Sequence, residues 1–257
     1  MASLDSFLLT GKVAVVTGAG GGIGGAICRV FAAAGASVAC VDRNGESAES
    51  TAAAIRSAGS RALALACDVS HEAQTEAALR QVVEQLGPPR VLVNGAAGQD
   101  PSGSVLEFDL ASWNQVFAVN VGGAFLMSRW VIPVMAQAGG GSIIHIASQL
   151  GSVGAPGRVA YCSTKGALIQ MAKAMAIDHA AQNIRVNTLS PGAVETDRLT
   201  YRLGSMEAAR AALAPAHAMG RLGLPTELAT AALFLASEAS SFMTGADLLV
   251  DGGYNAR

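Results

Sequence analysis

Seven short runs rich in aliphatic and β-branched residues punctuate this chain, and their spacing constrains its fold more than any other feature. They are KVAVV (12–16), SVACV (37–41), ALALA (62–66), RVLVN (90–94), SIIHIA (142–147), IRVNTL (184–189) and DLLV (247–250). Most are nearly continuous in apolar residues, so neither face of such a strand can be left to water, which is the signature of a parallel sheet covered on both sides. The stretches between them are Ala-rich and amphipathic, as helices linking parallel strands must be. The alternation predicts an α/β fold: a doubly wound parallel sheet of about seven strands with helices on both faces.

Composition narrows the function classes. With 257 residues, 51% hydrophobic and 14% charged, the chain suits one domain with a well-buried core. No Ser/Pro/Gly-rich linker, charge block or repeat divides it, so residues 1–257 are read as one unit, with a substrate lid expected at about 192–225. That segment is Ala-rich, lacks a clear element and contains Arg198, Arg202, Arg210 and Arg221; a short helical insertion is the alternative reading. A formal net charge of −2 and no long basic run argue against nucleic acid as a partner. Residues 130–157 hold no Lys, Arg, Asp or Glu, yet Pro133, three consecutive glycines at 139–141, His145 and Pro156 suit a helix end, loop and buried strand rather than a membrane span. The start, MASLDSFLLTGK, has no basic n-region and is not read as a secretion signal. Cys28, Cys40, Cys67 and Cys162 show no CxxC spacing, which fits reduced, mostly buried thiols, a cytoplasmic location and no metal site. Cys162, beside Tyr161, carries a second reading as part of a substrate pocket.

The first strand runs directly into TGAGGGIGG (17–25) and then into a helical pattern. Strand, glycine turn and helix form the context in which glycines let a backbone approach a pyrophosphate held at the helix N-terminus. Two frames are open: Gly20, Gly22 and Gly25 satisfy GxGxxG, while Gly18, Gly22 and Gly24 satisfy GxxxGxG. The second is better placed, because its turn begins where the strand ends. The second strand ends at Asp42, 18 residues after Gly24, the position of an acid that hydrogen-bonds the adenosine ribose. A carboxylate there repels a 2′-phosphate, so NAD is expected over NADP, although Arg43 follows directly. Capping a turn with Asn44 and Gly45 is the alternative for Asp42. Asp68, after the third strand, reads either as an adenine contact or as a helix cap.

Further along, YCSTK (161–165) sits in an apolar, helix-forming stretch. In a helix, residues four apart share a face, so the Tyr161 phenol and the Lys165 ammonium can approach one point.

TGxxxGxG at 17–24, Asp42, Asp68-Val69, Asn94, Asn120, Ser148, YxxxK at 161–165 and Pro191-Gly192 together resemble the short-chain dehydrogenase/reductase family over essentially the whole chain. The resemblance implies a Rossmann-like fold, a nicotinamide cofactor and a catalytic set of Asn120, Ser148, Tyr161 and Lys165. It also implies cofactor contacts at Gly18, Gly22, Ile23, Gly24, Asp42, Asp68, Val69, Asn94, Tyr161, Lys165, Pro191, Val194 and Thr196, and commonly a homotetramer. The chemistry stands independently. Hydride exchange with a carbonyl needs a proton moved at oxygen, and a free phenol, with a pKa of about 10, needs a nearby cation to do this near neutrality. Ser148, at the end of the SIIHIAS strand, lies where open α/β sheets present ligands. One departure stands out: where the family usually has NNAG, this chain reads Asn94-Gly95-Ala96-Ala97, which leaves one structural hydrogen bond in question.

For the substrate, Arg158 precedes Tyr161 by three residues and Gln99 follows Asn94 by five. Family members acting on 3-hydroxybutyrate place a Lys and a Gln there to grip a carboxylate, but they also carry a His where this chain has Leu150. The expected substrate is a small secondary alcohol with an anionic group, such as a hydroxy acid, sugar acid or hydroxysulfonate, touching Ser148, Gln149, Arg158, Gln99 and Tyr161. A solvated loop residue is the alternative for Arg158. Reduction of 3-oxoacyl thioesters is the enzymatic alternative, and an NAD-binding sensor or structural subunit the non-catalytic one. His145 reads as a core histidine; His217 carries no signal.

Overall fold

Burial on both faces of the strands dictates the architecture. The computed structural model describes residues 4–98 and 101–256. Its strands β1 (Val13–Thr17), β2 (Ser37–Asp42), β3 (Ala62–Ala66), β4 (Pro89–Asn94), β5 (Gly141–Ile146), β6 (Ile184–Pro191) and β7 (Asp247–Val250) form one parallel sheet in the order β3-β2-β1-β4-β5-β6-β7. The helices are α1 (Gly22–Ala33), α2 (Gly45–Ser57), α3 (Glu72–Gln85), α4 (Leu110–Phe117), α5 (Gly123–Gln137), α6 (Val159–His179), α7 (Asp197–Leu203), α8 (Met206–Leu213) and α9 (Pro225–Ala236). The fold is the doubly wound, Rossmann-like one expected from the sequence.

Ala14 and Val16 of β1 pack into one core with α1, α2 and α9, whereas Val13 and Val15 pack into the other with α3, α5 and α6. Val91 and Val93 of β4 join the first core and Leu92 the second. This is the two-residue period of a strand with both faces buried, so the apolar runs show no polar alternation. The order of strands reverses at β1, with β2 and β3 to one side and β4 to β7 to the other. Connections leaving the carboxyl ends of β1 and β4 therefore diverge, and a crevice opens between them.

Local chemistry sets the helix ends. Asn44 caps α2 by accepting from the N–H groups of Glu46 and Ser47, and Asp109 caps α4 by accepting from Ser112. At α9, Pro225 supplies a pre-set φ, and the Glu227 carboxylate accepts from the Leu224 N–H at 2.8 Å. Between α4 and α5 the helical run passes through one π turn, Ala118–Gly122, which carries Asn120. The combined run Leu110–Gln137 is long and apolar enough to cross a bilayer, but α5 packs against α3 and β4, burying Met127, Val131 and Met135 in the second core. Residues 130–157 resolve into the end of α5, a loop and β5, as their composition suggests.

The segment 192–225 is less featureless than its sequence suggests. It folds as α7 and α8 around a small core of Leu199, Ala209 and Leu222, then returns so that Gly223 pairs with Val194. His217 fastens it: Nε2 accepts from the Ala193 N–H at 3.1 Å, and Nδ1 lies 2.9 Å from the Leu213 carbonyl, so the proton belongs on Nδ1.

The turn after β1 depends on close backbone contact. Gly18 has φ +71° and Gly22 φ +52°, and a Cβ on Gly24 would lie 2.1 Å from the Gly18 carbonyl oxygen. A Cβ on Gly25 would meet Ala19 O at an acceptable 3.4 Å. The steric requirement thus falls on the Gly18, Gly22, Gly24 frame. Gly24→Ala is expected to force the Gly18 turn apart and to cost about 2 kcal/mol, or about 4–8 °C in Tm for a chain of this size, checked by thermal unfolding against Gly25→Ala.

Candidate active site

Four strand ends and α7 enclose a cavity of about 500 Å³, lined by Gly18 after β1, Asp42 and Arg43 after β2, Asp68 and Val69 after β3, Ala96–Gly98 after β4, and Arg198, Tyr201 and Arg202 on α7. Asp42 uses both carboxylate oxygens on backbone: Oδ2 accepts from the Gly20 N–H and Oδ1 from the Asn44 N–H, each at 2.9 Å. The turn-capping alternative is therefore realised, and the carboxylate, with about four lone-pair sites, keeps acceptor capacity toward the cavity. Asp68 accepts from the Ser70 N–H and hydroxyl, organising the turn before α3, whose cap position is His71. Burial raises the Asp68 pKa, but the two Ser70 hydrogen bonds, His71 and Arg43 together hold it below the usual carboxylate value. Burial, then Asp68, push the Cys67 thiol up to about 11, so this cavity residue stays protonated.

Residues after β4 and β6 complete the glycine turn. The Thr17 hydroxyl accepts from the N–H groups of Gly95 and Ala96, so the family's missing second Asn leaves the loop tied to β1. A Cβ on Gly95 would itself stand 2.7 Å from the Thr17 carbonyl oxygen. Pro191 ends β6, Val194 is buried, and Thr196 reaches the glycine turn, its Cγ2 3.2 Å from where a Cβ on Gly22 would be. Ile23, in the first turn of α1, packs on the first core, and Val69 lines the cavity against Gly123. Asn94 differs: its side chain turns into the protein, donating to the Ser128 hydroxyl at 3.2 Å beside His145 Nδ1 at 3.0 Å. It braces the crevice floor and is absent from the cavity wall.

A second group forms where β5 meets α6. Lys165 is 3% exposed and donates from Nζ to the Ile146 carbonyl at 2.7 Å, while the same ammonium lies 5.5 Å from the Tyr161 ring centroid. Ser148 begins the turn Gln149–Gly151, its Oγ accepting from the Leu150 N–H at 3.2 Å. That turn rests on α6 at Lys165, since a Cβ on Gly151 would fall 2.9 Å from the Lys165 carbonyl carbon. The π turn directs Asn120 to the same place: Oδ1 accepts from the Gly98 N–H at 2.9 Å, and Nδ2 donates to the Thr164 hydroxyl at 3.1 Å. Thr164 in turn donates to the Tyr161 carbonyl. Asn120 thus joins the cavity edge at Gly98 to the helix carrying Tyr161 and Lys165. These four residues do not line the 500 Å³ cavity. Arg198 belongs to both places, for it is on the cavity wall and 5.8 Å from the Tyr161 ring.

Burial, then the Arg198 charge, bring the Lys165 pKa down to about 7. His145, 0% exposed, is brought to about 4 by burial and then Lys165, so it is the neutral core histidine expected. Arg158 is 9% exposed and stacks its guanidinium on the Tyr161 ring at 4.9 Å, which removes the solvated-loop reading. Burial, then Arg202, lower its pKa. Gln149 is buried, with its side-chain oxygen lacking a protein partner. Gln99 lies outside the described residues. Among the described residues no group of His, Cys, Asp and Glu has metal-binding geometry.

Sequence reasoning missed Thr17, Thr164, His217 and the α7 side chains Arg198, Tyr201 and Arg202. Only the arginines left a signal, an i, i+4 pair within the expected lid.

Comparison with known proteins follows the same lines. A family profile described as enoyl-(acyl carrier protein) reductase matches residues 18–255. The chain is 40% identical over 250 residues to D-threitol dehydrogenase of Mycolicibacterium smegmatis (96% of this chain, 94% of the relative). It is 42% identical over 251 residues to galactitol 2-dehydrogenase (L-tagatose-forming) of Cereibacter sphaeroides (96% of each). It is 38% identical over 245 residues to cis-4-hydroxycyclohexanecarboxylate dehydrogenase of Sinomonas cyclohexanicum (95% and 97%). Among solved structures, 7α-hydroxysteroid dehydrogenase with NADH and 7-oxo glycochenodeoxycholic acid superposes with TM-score 0.93 at 36% identity, covering 98% of each chain. A structure assigned as NAD(P)-dependent gluconate 5-dehydrogenase from Beutenbergia cavernae, with bound NADP at low occupancy, gives 0.91 at 34% identity, covering 98% of this chain and 100% of the other.

Lys165 offers a direct test of the site's electrostatics. A base whose folded pKa of about 7 lies below its ordinary 10.5 takes up a proton on unfolding throughout that interval. Its penalty is fully present below about 7 and is relieved as pH rises, so stability increases with pH in this window. The stability advantage of Lys165→Met over wild type is expected to shrink between pH 7 and pH 9 by on the order of 2 kcal/mol, read from thermal unfolding of the unliganded protein. A pH-independent difference between the two proteins would refute the buried-lysine assignment.

Proposed function

The chain belongs to the short-chain dehydrogenase/reductase family, and from that premise we propose that it is an oxidoreductase exchanging a hydride between NAD(H) and a small secondary alcohol or ketone bearing an anionic group. The observation that carries the reading is the convergence of Lys165, Tyr161 and Asn120 where the Ser148 turn meets α6, next to a cavity with Asp42 on its wall.

The residues present fit a dinucleotide. The close Gly18–Gly24 approach leaves room at the N-terminus of α1 for pyrophosphate, with Gly22, Ile23 and Thr196 beside it. Asp42 is the ribose acceptor, Asp68 and Val69 border the adenine, and Pro191 and Val194 set the path toward the nicotinamide. Asn94 supports this wall through the backbone it holds. When bound, the oxidised cofactor supplies the hydride acceptor and the reduced cofactor the donor. Tyr161 moves the proton at the substrate oxygen, and the Lys165 ammonium stabilises its phenolate. The Ser148 hydroxyl holds that oxygen, and Asn120 fixes the helix turn presenting Tyr161. Arg158, beside the Tyr161 ring, faces the anionic group, with Gln149 and Gln99 as further contacts.

The segment 192–225 acts as the lid over this site. Exposed Phe125 on α5, Ile177 on α6 and Leu249 in β7 leave apolar surface suited to a homotetramer. The free thiols fit a cytoplasmic location. Reduction of a 3-oxoacyl thioester is the enzymatic alternative; the matched profile shares with it only an acyl-carrier substrate, being described by enoyl reduction, and Asp42 weighs against the NADPH such chemistry commonly uses.

The test is reduction of NAD and NADP across hydroxy acids, polyols and sugar derivatives. Tyr161→Phe is expected to lower kcat about 10²- to 10⁴-fold, and full retention of cellular function by this variant would instead support a non-catalytic NAD-binding role. Asp42→Ala is expected to narrow the NAD preference at least tenfold in kcat/KM. Arg158→Ala is expected to lower kcat/KM for the best anionic substrate about tenfold or more; unchanged activity would remove Arg158 from the contacts of the anion.

A further inference from the structure

The four arginines between residues 192 and 225 divide by partner. Arg210 forms a bidentate pair with Glu195, both contacts at 2.7 Å, and Arg221 pairs with Glu227 at 2.6 and 2.8 Å. Arg198 and Arg202 have no carboxylate within ion-pair distance among the described residues. They stand four residues apart on α7, share one helix face, and both line the 500 Å³ cavity. Arg198 is also 5.8 Å from the Tyr161 ring, which places its guanidinium at the reacting end of the cavity. The positive charge there is concentrated, since Arg158 and Lys165 reach the same ring at 4.9 and 5.5 Å. The charges oppose one another: Arg198 and Arg202 both lower the Arg158 pKa, and Arg198 lowers that of Lys165. Asp42, across the cavity, already accepts from two backbone N–H groups. Two guanidinium groups with no acidic partner among the described residues, held on the cavity wall by a helix in the lid, form a fork suited to a planar or trigonal oxyanion.

We infer that Arg198 and Arg202 are the specificity residues of the site, binding a carboxylate or sulfonate borne by the substrate and drawing α7 onto it. The inference rests on the dehydrogenase reading and deepens it, since it commits the preferred substrates to short hydroxy acids or hydroxysulfonates rather than neutral polyols. Such a fork favours an anion over its uncharged analogue, because only the anion accepts charge-assisted, bidentate hydrogen bonds from the guanidinium groups. The other oxyanion in reach is the cofactor's pyrophosphate. It has its own backbone donors at α1, whereas Arg198 sits beside Tyr161.

The experiment compares hydroxy acids with their methyl esters, using wild type, Arg198→Ala, Arg202→Ala and Arg198→Lys. The ratio of kcat/KM for acid over ester is expected to fall at least tenfold in each alanine variant and to recover in part in Arg198→Lys. Calorimetry supplies a readout independent of turnover: butyrate and ethanesulfonate should bind the NADH-loaded wild type at least tenfold more tightly than either alanine variant. An unchanged acid-to-ester ratio together with unchanged butyrate and ethanesulfonate affinity overturns the inference. So does a tenfold loss of NADH affinity with the ratio intact, which would assign the pair to pyrophosphate. If wild type oxidises no alcohol at all, the dehydrogenase reading fails, while anion calorimetry still decides the role of the arginines.

Discussion

One hydrogen bond anchors the chemical end of this molecule, that from the buried Lys165 ammonium to the carbonyl of Ile146 at the end of β5. A cation removed from water is tolerated only where strong acceptors and orienting groups compensate, and here the acceptor is the last residue of a central strand. The contact couples sheet to helix at one point, so the Ser148 turn, which rests on the same turn of α6, inherits its position from it. Arg198 adds a second positive charge to a place where desolvation already disfavours the first. The Lys165 cluster is in this sense built around an unfavourable charge state, which a nearby negative charge would relieve.

Much of the fold was legible because parallel strands advertise themselves as apolar runs. The seven runs coincide with the seven strands to within about two residues, and the ends that matter, Thr17, Asp42 and Asn94, fall where expected. The glycine frame became decidable only with coordinates, since it turns on a 2.1 Å clearance between Gly24 and Gly18 that no spacing rule encodes. Asp42 illustrates a different limit: spacing offers ribose acceptor and turn cap as alternatives, whereas a carboxylate that caps the turn through two backbone contacts keeps lone pairs for a second role. The resemblance assigns Asn94 to the cofactor; its side-chain Nδ2 donates inside the protein toward α5, because strand residues alternate faces. Thr164 and His217 were invisible, for the contacts that tie them to the site, with the Asn120 amide and the Ala193 N–H, are made across the chain.

The relatives act, by their names, on polyols, a ring hydroxy acid and a steroid, so the common scaffold leaves the substrate open. Within this chain α7 stands apart, a seven-residue helix whose cavity face is basic while the other arginines of the segment are paired with glutamates. Its root at Thr196 touches the glycine turn, and its far side packs on its own small core. Such a unit can change sequence without disturbing either main core, which is where substrate range on a shared fold is most readily altered.

The π turn at Ala118–Gly122 has a consequence for how this site can change over time. It holds one more residue than an α-helical turn, and each residue turns a helix by about 100°. Winding that turn into a regular α-helix with all its residues kept would rotate everything after it by about that angle, carrying Met127, Val131 and Met135 away from the core they fill. The distortion that aims Asn120 is therefore locked to the packing register of the following 15-residue helix. A lineage could exchange the amide at Asn120 for another side chain, but it could straighten the helix beneath it only by deleting a residue there or by repacking α5 against its core.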